Sequence, residues 1–542
     1  MAHRQTVKRL GWIIGGLSAS CFTIPALASP ASVGETGINA QKLREPPYNL
    51  TGRKIAIGQV EIGRPGLFGI DKSVSWNPAI ALERVFFRNE PAKVNTDVDS
   101  HAAMVASVMI SGDKTLPGVA PGARLYSSAS GSPVEGGQPE ECLSAQHIAL
   151  QNGGDVRAIN FSFGEPLQRD PRPEATLDGN ALLTQCIDWS ARTHDVLYVI
   201  AGNQGSGGIP IPTDNFNGIN VAYTTQRDGV FSKVDFANLS ALPVGIGRRL
   251  INREINVGPR RSINLSAPGS KIAVYELDGK IVEVSGTSFA APHVTASVAL
   301  LQEFGDRALR GAEGNRQLQS KQPNWSTDSR RNQVMRAVLL NSADKIKDNG
   351  DGLRLGMTRT VLGKNSLNWL ESDAYKDPKI PLDIQMGTGH LNAFRAYEQF
   401  SPGQWSSEAA VPSVGWDYRT VEAKASQDYV LEQPLKAGSF VSLTLAWERV
   451  VDLDDKNKNN AFDVGESFRD RGLNNLDLYL VSADDDSTTK SVCSSVSEAD
   501  SIEHIFCPVP TAGRYKIRVQ YRQQVNEASQ PYALAWWTVP AQ

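Results

Sequence analysis

The chain has 542 residues, with 55 lysines and arginines against 58 aspartates and glutamates and a formal charge of -3. At roughly 100–200 residues per structural unit, that length predicts two or three units. The near balance of charge argues against a nucleic-acid footprint or a polybasic membrane mechanism, so neither partner is expected.

Residues 1–28 read as a secretory signal. Arg4, Lys8 and Arg9 precede an apolar run from Leu10 to Ile24, and Ala26-Leu27-Ala28 forms a small-x-small cleavage site. The expectation is therefore a secreted protein, extracellular or periplasmic. No later stretch approaches the roughly 18 consecutive apolar residues of a membrane helix. Removing Cys21 with the signal leaves Cys142, Cys186, Cys493 and Cys507. An even count in an exported chain favours disulfides. Of the three possible connectivities, the one that keeps each bridge within one unit pairs Cys142 with Cys186 and Cys493 with Cys507.

After a short leader at 29–48, residues 49–400 alternate short apolar runs with amphipathic helical patterns. Examples are "RKIAIGQV", "HAAMVASVMI", "VRAINFSFG", "DVLYVIAGN" and "RRNQVMRAVLLNSADKI". Such alternation predicts an α/β unit with a mostly parallel sheet covered by helices on both faces. The stretch 401–418, with Pro402, Gly403 and Pro412, reads as a linker. From 419 to 542 the period changes to two. In "VSLTLAW" Val441, Leu443, Leu445 and Trp447 share one face, and in "RYKIRVQY" Tyr515, Ile517, Val519 and Tyr521 do. One buried and one wet face predict an all-β sandwich.

Ser288 stands just before a small, apolar helical stretch in "VSGTSFAAPHVTASVALL". A helix N-terminus offers unsatisfied N–H donors and a positive dipole end, which can hold a developing oxyanion. A serine there is also an ordinary N-cap. The segment "SGTSFAAPHVTA", with "INLSAPGSKI" before it and "MGTGHLNAFRA" after it, resembles the serine signature of the subtilisin-like serine peptidases. The resemblance spans about Thr51 to Phe400 and implies a catalytic domain of that fold, with Ser288 as nucleophile.

A serine hydroxyl needs a base. Of seven histidines, His3 leaves with the signal and His293 lies on the Ser288 helix, too far along it to reach back. "DSHAAMVASVMI" followed by "GVAPGARLYS" resembles the family's histidine signature, which makes His101 the general base; Ala102-Ala103 stand where Gly-Thr is usual. The strand "RKIAIGQVEIGRPG" is similar to the family strand ending in Asp-x-Gly. Here the acid is Glu61, with Gly63 in the expected place, and Asp71 is the rival. A carboxylate in this role fixes the imidazole tautomer and stabilises the imidazolium.

"DVLYVIAGNQGSGG" resembles the segment whose asparagine donates to the oxyanion, which carries over to Asn203. "INFSFGEP" resembles the edge that pairs with extended substrate, which assigns Ser162, Phe163 and Gly164 to substrate binding through β-augmentation. In the C-terminal unit, "DKNKNNAFDVGE" sets Asp455, Asn457, Asn459, Ala461, Asp463 and Glu466 at positions 1, 3, 5, 7, 9 and 12 of a loop. That spacing suits one structural calcium ion, with Asn460 for the left-handed turn and Phe462 apolar. No catalytic cofactor is expected.

These readings imply a monomeric serine endopeptidase acting on polypeptides through an acyl-enzyme. The competing class is a non-catalytic peptide-binding protein on the same scaffold, motivated by Glu61, by Ala102-Ala103 and by a leader too short for a folding-assisting prodomain.

Overall fold

The computed structural model describes residues 32–76, 80–131, 136–202, 210–235, 259–314 and 324–541. The signal segment and Asn203 lie outside them. Eight strands set the first unit: β1 (Ala56–Glu61), β2 (Leu82–Phe87), β3 (Arg124–Ala129), β4 (Val156–Phe161), β5 (Leu197–Ala201), β6 (Ile219–Arg227), β7 (Val230–Lys233) and β8 (Thr360–Leu362). Their spatial order is β8-β7-β6-β5-β4-β1-β3-β2, with the short Glu90–Pro91 strand beyond β2. All neighbours run parallel except β6 with β7 and β2 with the Glu90–Pro91 strand, while Leu265–Pro268 adds to β6 in parallel. Strands β1, β4 and β5 are buried at every position, as expected of a sheet covered on both faces.

Six helices frame the site and the contact with the second unit: α1 (Ser100–Ile110), α2 (Gln138–Ala149), α3 (Leu182–His194), α4 (Thr287–Gly314), α5 (Asn332–Asn341) and α6 (Ala393–Phe400). Helices α1 and α4 pack one face of the sheet in a core that includes Val105, Ile57, Val199, Val294 and Val298. On the other face α2 and α3 bury Ile148, Ile159 and Ile187, and the Cys142–Cys186 bridge joins the two helices.

The second unit is two four-stranded antiparallel sheets. Its strands are β9 (Val414–Glu422), β10 (Ser426–Val430), β11 (Phe440–Trp447), β12 (Val450–Asp454), β13 (Ser467–Gly472), β14 (Asn475–Ser482), β15 (Cys493–Ser495), β16 (Ile502–Pro508), β17 (Tyr515–Gln523) and β18 (Ser529–Trp537). One sheet has the order β9-β18-β11-β16 and the other β10-β17-β14-β15, while β12 and β13 form a separate hairpin. Leu443, Leu445 and Trp536 of the first sheet meet Leu478, Ile517 and Val519 of the second in one core. The Cys493–Cys507 bridge ties β15 to β16.

Three expectations change. The leader is structural from its first described residue: Val33, Ile38, Ala40 and Leu43 are buried in the α1/α4 core, and Ser32 Oγ lies 3.1 Å from His293 Nε2. Nor is 401–418 a free linker, because β9 starts at Val414 and Trp416 stacks on Phe400 at 5.5 Å. Finally, the faces expected to be wet are largely covered, although Arg514 is exposed. Ser442, Thr444 and Ala446 are buried, with both hydroxyls hydrogen-bonded to Asn341 at the end of α5. Lys516 and Arg518 are buried in ion pairs with Asp428. Alternation in the sequence identifies the sandwich core but cannot tell a wet face from one covered by another unit.

That covering is extensive and polar. Arg336 of α5 donates to the carbonyls of Trp447 and Phe216, and Glu448 accepts from the amides of Asn332 and Gln333. Arg449 reaches into the first unit, where it lies 2.7 Å from Asp188 of α3 with both groups buried.

Candidate active site

The carboxyl ends of β1, β4 and β5 lie side by side at the middle of the sheet, the place where open α/β sheets bind ligands. Glu61 is the last residue of β1. Its carbonyl accepts from the Ser130 amide at 2.8 Å and the Ser130 hydroxyl at 3.1 Å, so the main chain stays on the sheet while the side chain leaves it. Gly63 follows. A Cβ there would stand 2.4 Å from Asp99 Cβ and 2.9 Å from the Asp97 carbonyl, so only glycine lets the two segments approach this closely.

The approach brings in α1. Asp99 caps it by accepting from the Ala102 amide at 2.8 Å, and Gln59 of β1 donates to the Ala102 carbonyl at 2.9 Å. Ala102 and Ala103 are buried, so small side chains at both positions admit the helix to the sheet. His101, second in the helix, places Nδ1 3.3 Å from Glu61 Oε2. Burial alone would lower the imidazole pKa. The Glu61 carboxylate, by charge and by hydrogen bond, and then Asp99 outweigh it, so the ring titrates above the ordinary 6.5.

Asp71, the rival acid, is committed elsewhere. It forms a buried two-bond pair with Arg64, each bond 2.8 Å, and also accepts the amides of Leu67 and Asn95. The arginine bonds outweigh burial and hold its carboxyl down at about 2.

Ser288 opens α4 and is 7% exposed. Gly286, at φ 155°, makes the turn into the helix. The Ser288 hydroxyl donates to the Ser162 carbonyl at 3.0 Å, and the Ser162 hydroxyl donates to the Ser288 carbonyl at 2.9 Å. The second bond has a cause in the sequence. Pro292 has no N–H to give the carbonyl four residues before it, so Ser162 supplies the missing donor. Asn160 donates to Ser162 Oγ at 2.8 Å and holds it in place.

The His101 ring lies 5.6 Å from the ring of Phe289, the residue after Ser288. The imidazole, its carboxylate and the opening of the serine helix are thus neighbours, with the hydroxyl turned toward Ser162. His293 is wholly buried against Phe289 and Ser32, and burial pushes its pKa down to about 4. His147 packs edge-on to Phe86. Gly202 continues β5 by donating to the Val221 carbonyl, and Asn203, next in the chain, lies outside the described residues.

Of the expected substrate edge, Ser162 is buried and bonded to Ser288, Phe163 stacks on Phe161 at 5.3 Å, and Gly164 is half-buried. Beyond it Glu165 pairs with Ile211. Sequence reading missed Gln59, Asn160 and the Ser162 hydroxyl as positioning groups. The Asp-Ser before the α1 pattern and Pro292 within α4 were the available signals.

The proposed metal loop joins β12 to β13. Asn457 Nδ2 and Asn459 Nδ2 each lie 2.7 Å from Asp463 Oδ2, while the Asp455 carboxylate accepts from the Lys458 and Asn460 amides and the Glu466 carboxylate from the Lys456 and Asp463 amides. Asn460 is left-handed at φ 60°. Phe462 is buried on the first unit, where its amide and carbonyl both bond the Gln146 side chain. Among the described residues no three His, Cys, Asp or Glu side chains group as metal ligands, so a cation here would draw on amide and main-chain oxygens as well. Among the same residues no helix is long and apolar enough to cross a membrane.

Residues 76–358, a little over half of the chain, match the Peptidase_S8 (subtilase) family. Subtilisin DY from Bacillus licheniformis is 29% identical over 213 residues, covering 38% of this chain and 65% of that protein. Subtilisin Savinase from Lederbergia lenta is 27% identical over 274 residues, covering 49% of this chain and 80% of that protein. A solved cold-adapted subtilisin-like serine proteinase aligns over 59% of this chain and 91% of its own, at 18% identity and a TM-score of 0.35. On the family match and on the sheet that carries it, the chain belongs to the subtilase family.

Proposed function

We propose that this protein is a secreted serine endopeptidase that hydrolyses extended polypeptides through an acyl-enzyme. The observation that carries the reading is the His101 imidazole held 3.3 Å from a buried carboxylate and beside the first turn of the Ser288 helix. In this reading Ser288 Oγ attacks the peptide carbonyl carbon while His101 takes its proton. Glu61 in place of aspartate stabilises the imidazolium. The amide of Asn203 and the N–H groups of the first α4 turn hold the oxyanion. His101 then returns the proton to the leaving amine, and water repeats the sequence on the ester.

Glutamate is one methylene longer than aspartate. The Gln59 bond to Ala102 and the close contact at Gly63 support a helix position that accommodates it. The Ser288 hydroxyl must turn from Ser162 to meet the imidazole, and catalytic hydrogen bonds are often unmade without substrate. Digestion of unfolded casein tests the reading: wild type cleaves it and Ser288→Ala does not. The hydroxyl's bond to Ser162 favours the alternative of a non-catalytic peptide-binding protein, for which the two would bind the same peptides and neither would cleave.

The 455–466 loop is the place for a structural calcium ion. Asp455, Asn457, Asn459, Asp463 and Glu466 would supply side-chain oxygens and Ala461 a carbonyl, with the Asn457 and Asn459 side chains, which now donate to Asp463, turning to present oxygen instead. The ion would supply charge neutralisation and rigidity to a loop docked through Phe462, and it takes no part in the chemistry at Ser288.

A further inference from the structure

Glu165 directly follows Ser162–Gly164, the segment bonded to Ser288, and pairs with Ile211. Its carboxyl, only 3% exposed, meets a second one, that of Glu141 on α2. Glu141 is equally buried, and among the described residues its Oε2 meets no N–H or O–H donor. Burial, and after it the charge and hydrogen bond of Glu165, raises the Glu141 pKa well above the carboxylate range. Two carboxyls so placed cannot both ionise without a cation.

The surroundings keep the two together. Cys142, next to Glu141, is bridged to Cys186, and the Gln138 side chain accepts from the Leu183 amide, so α2 is fixed against α3. One cation does reach the pair: Arg169 Nη1 lies 3.4 Å from Glu165 Oε2 while its side chain is 47% exposed. A guanidinium whose stem lies in solvent can therefore arrive at the Glu165 oxygen. The arginine binds Glu165 through one oxygen, and among the described residues no donor meets the Glu141 Oε2. Neither carboxyl has a part in the chemistry at Ser288, and as a structural element the pair is costly.

We propose that Glu141 and Glu165 form a cation-recognition site that selects polypeptides with an arginine or lysine side chain in the stretch held along Ser162–Gly164. This deepens the endopeptidase reading and rests on its placement of the substrate. An incoming guanidinium donates to both carboxylates, Glu141 gives up its proton to solvent, and Arg169 is displaced.

The test measures peptide binding by the Ser288→Ala full chain, using fluorescein-labelled peptides that differ only in arginine against norleucine. Arginine should bind about ten- to hundredfold more tightly, the range for charged hydrogen bonds. Glu165→Gln and Glu141→Gln should each remove most of that preference. Arg169→Ala should increase it, an effect that damage to the fold would not produce. Equal binding of both peptides, or a preference untouched by all three substitutions, would overturn the proposal. Failure of the peptidase reading shows separately, as wild-type protein that leaves intact the same peptides its Ser288→Ala form binds.

Discussion

Glu61 Oε2 and His101 Nδ1 are 3.3 Å apart, although one belongs to the last residue of the central strand β1 and the other to the first turn of α1. If that contact orients the base, Glu61→Gln should lower kcat by about 10⁴, as loss of this charge does in other triads. Glu61→Asp keeps the charge but withdraws it by one methylene, so its kcat should fall between the two. Kinetics normalised by active-site titration would show the order.

The same contact sets the pH profile. The Glu61 charge holds the His101 pKa above 6.5, and the base works only when neutral, so kcat/KM should lose its acid limb at a pH above 6.5. In Glu61→Gln the burial that lowers the pKa remains while the charge that raises it is gone, so the limb should move to lower pH. For stability the sign is opposite. The pair adds most below 6.5, and its contribution is lost as pH rises through the folded-state value.

Asp71→Asn should act on stability and spare the chemistry. It breaks the buried pair with Arg64, a change that costs about 3–5 kcal/mol. The melting temperature should drop while kcat at low temperature stays near wild type. Because the folded pKa is depressed from 3.8 to about 2, the pair's contribution is present above 3.8 and is lost as pH falls toward 2.

Arg449→Ala should destabilise both units together. It leaves Asp188 buried without its cation, again at about 3–5 kcal/mol, and removes a guanidinium lying over the Phe216 ring. Thermal unfolding followed by tryptophan fluorescence and by loss of activity should show one earlier transition in both signals. Loss of the β-sandwich alone, with the first unit intact, would contradict the packing of α5 against β11.

Chelation tests the 455–466 loop. A bound ion at 100 times its Kd adds about 2.7 kcal/mol, so melting in EDTA should come earlier and recover on adding calcium. Asp463→Ala should melt at the chelated temperature with or without calcium. No shift on chelation removes the ion from the account.

Much of this was legible in the residues. The short, largely apolar runs and the helical periods give the parallel sheet, and Gly63, His101 and Ser288 mark where its loops must meet. What stayed hidden depends on contacts distant in sequence. Nothing near Asp71 announces that Arg64 has claimed it, since the bond depends on how the loop after β1 folds back. The Ser442 and Thr444 face reads as wet because one sequence cannot show that α5 covers it. Residues 29–48 read as a leader because a short stretch with few apolar residues shows no period, yet Val33, Ile38 and Leu43 each find a place in the core.

The most direct measurement is reaction of the folded protein with a fluorophosphonate, followed by peptide mapping. A single adduct on Ser288 is expected, formed at a rate that falls steeply in His101→Ala. Folded protein that takes no label, or label on Ser288 at a rate indifferent to the loss of His101, would contradict it.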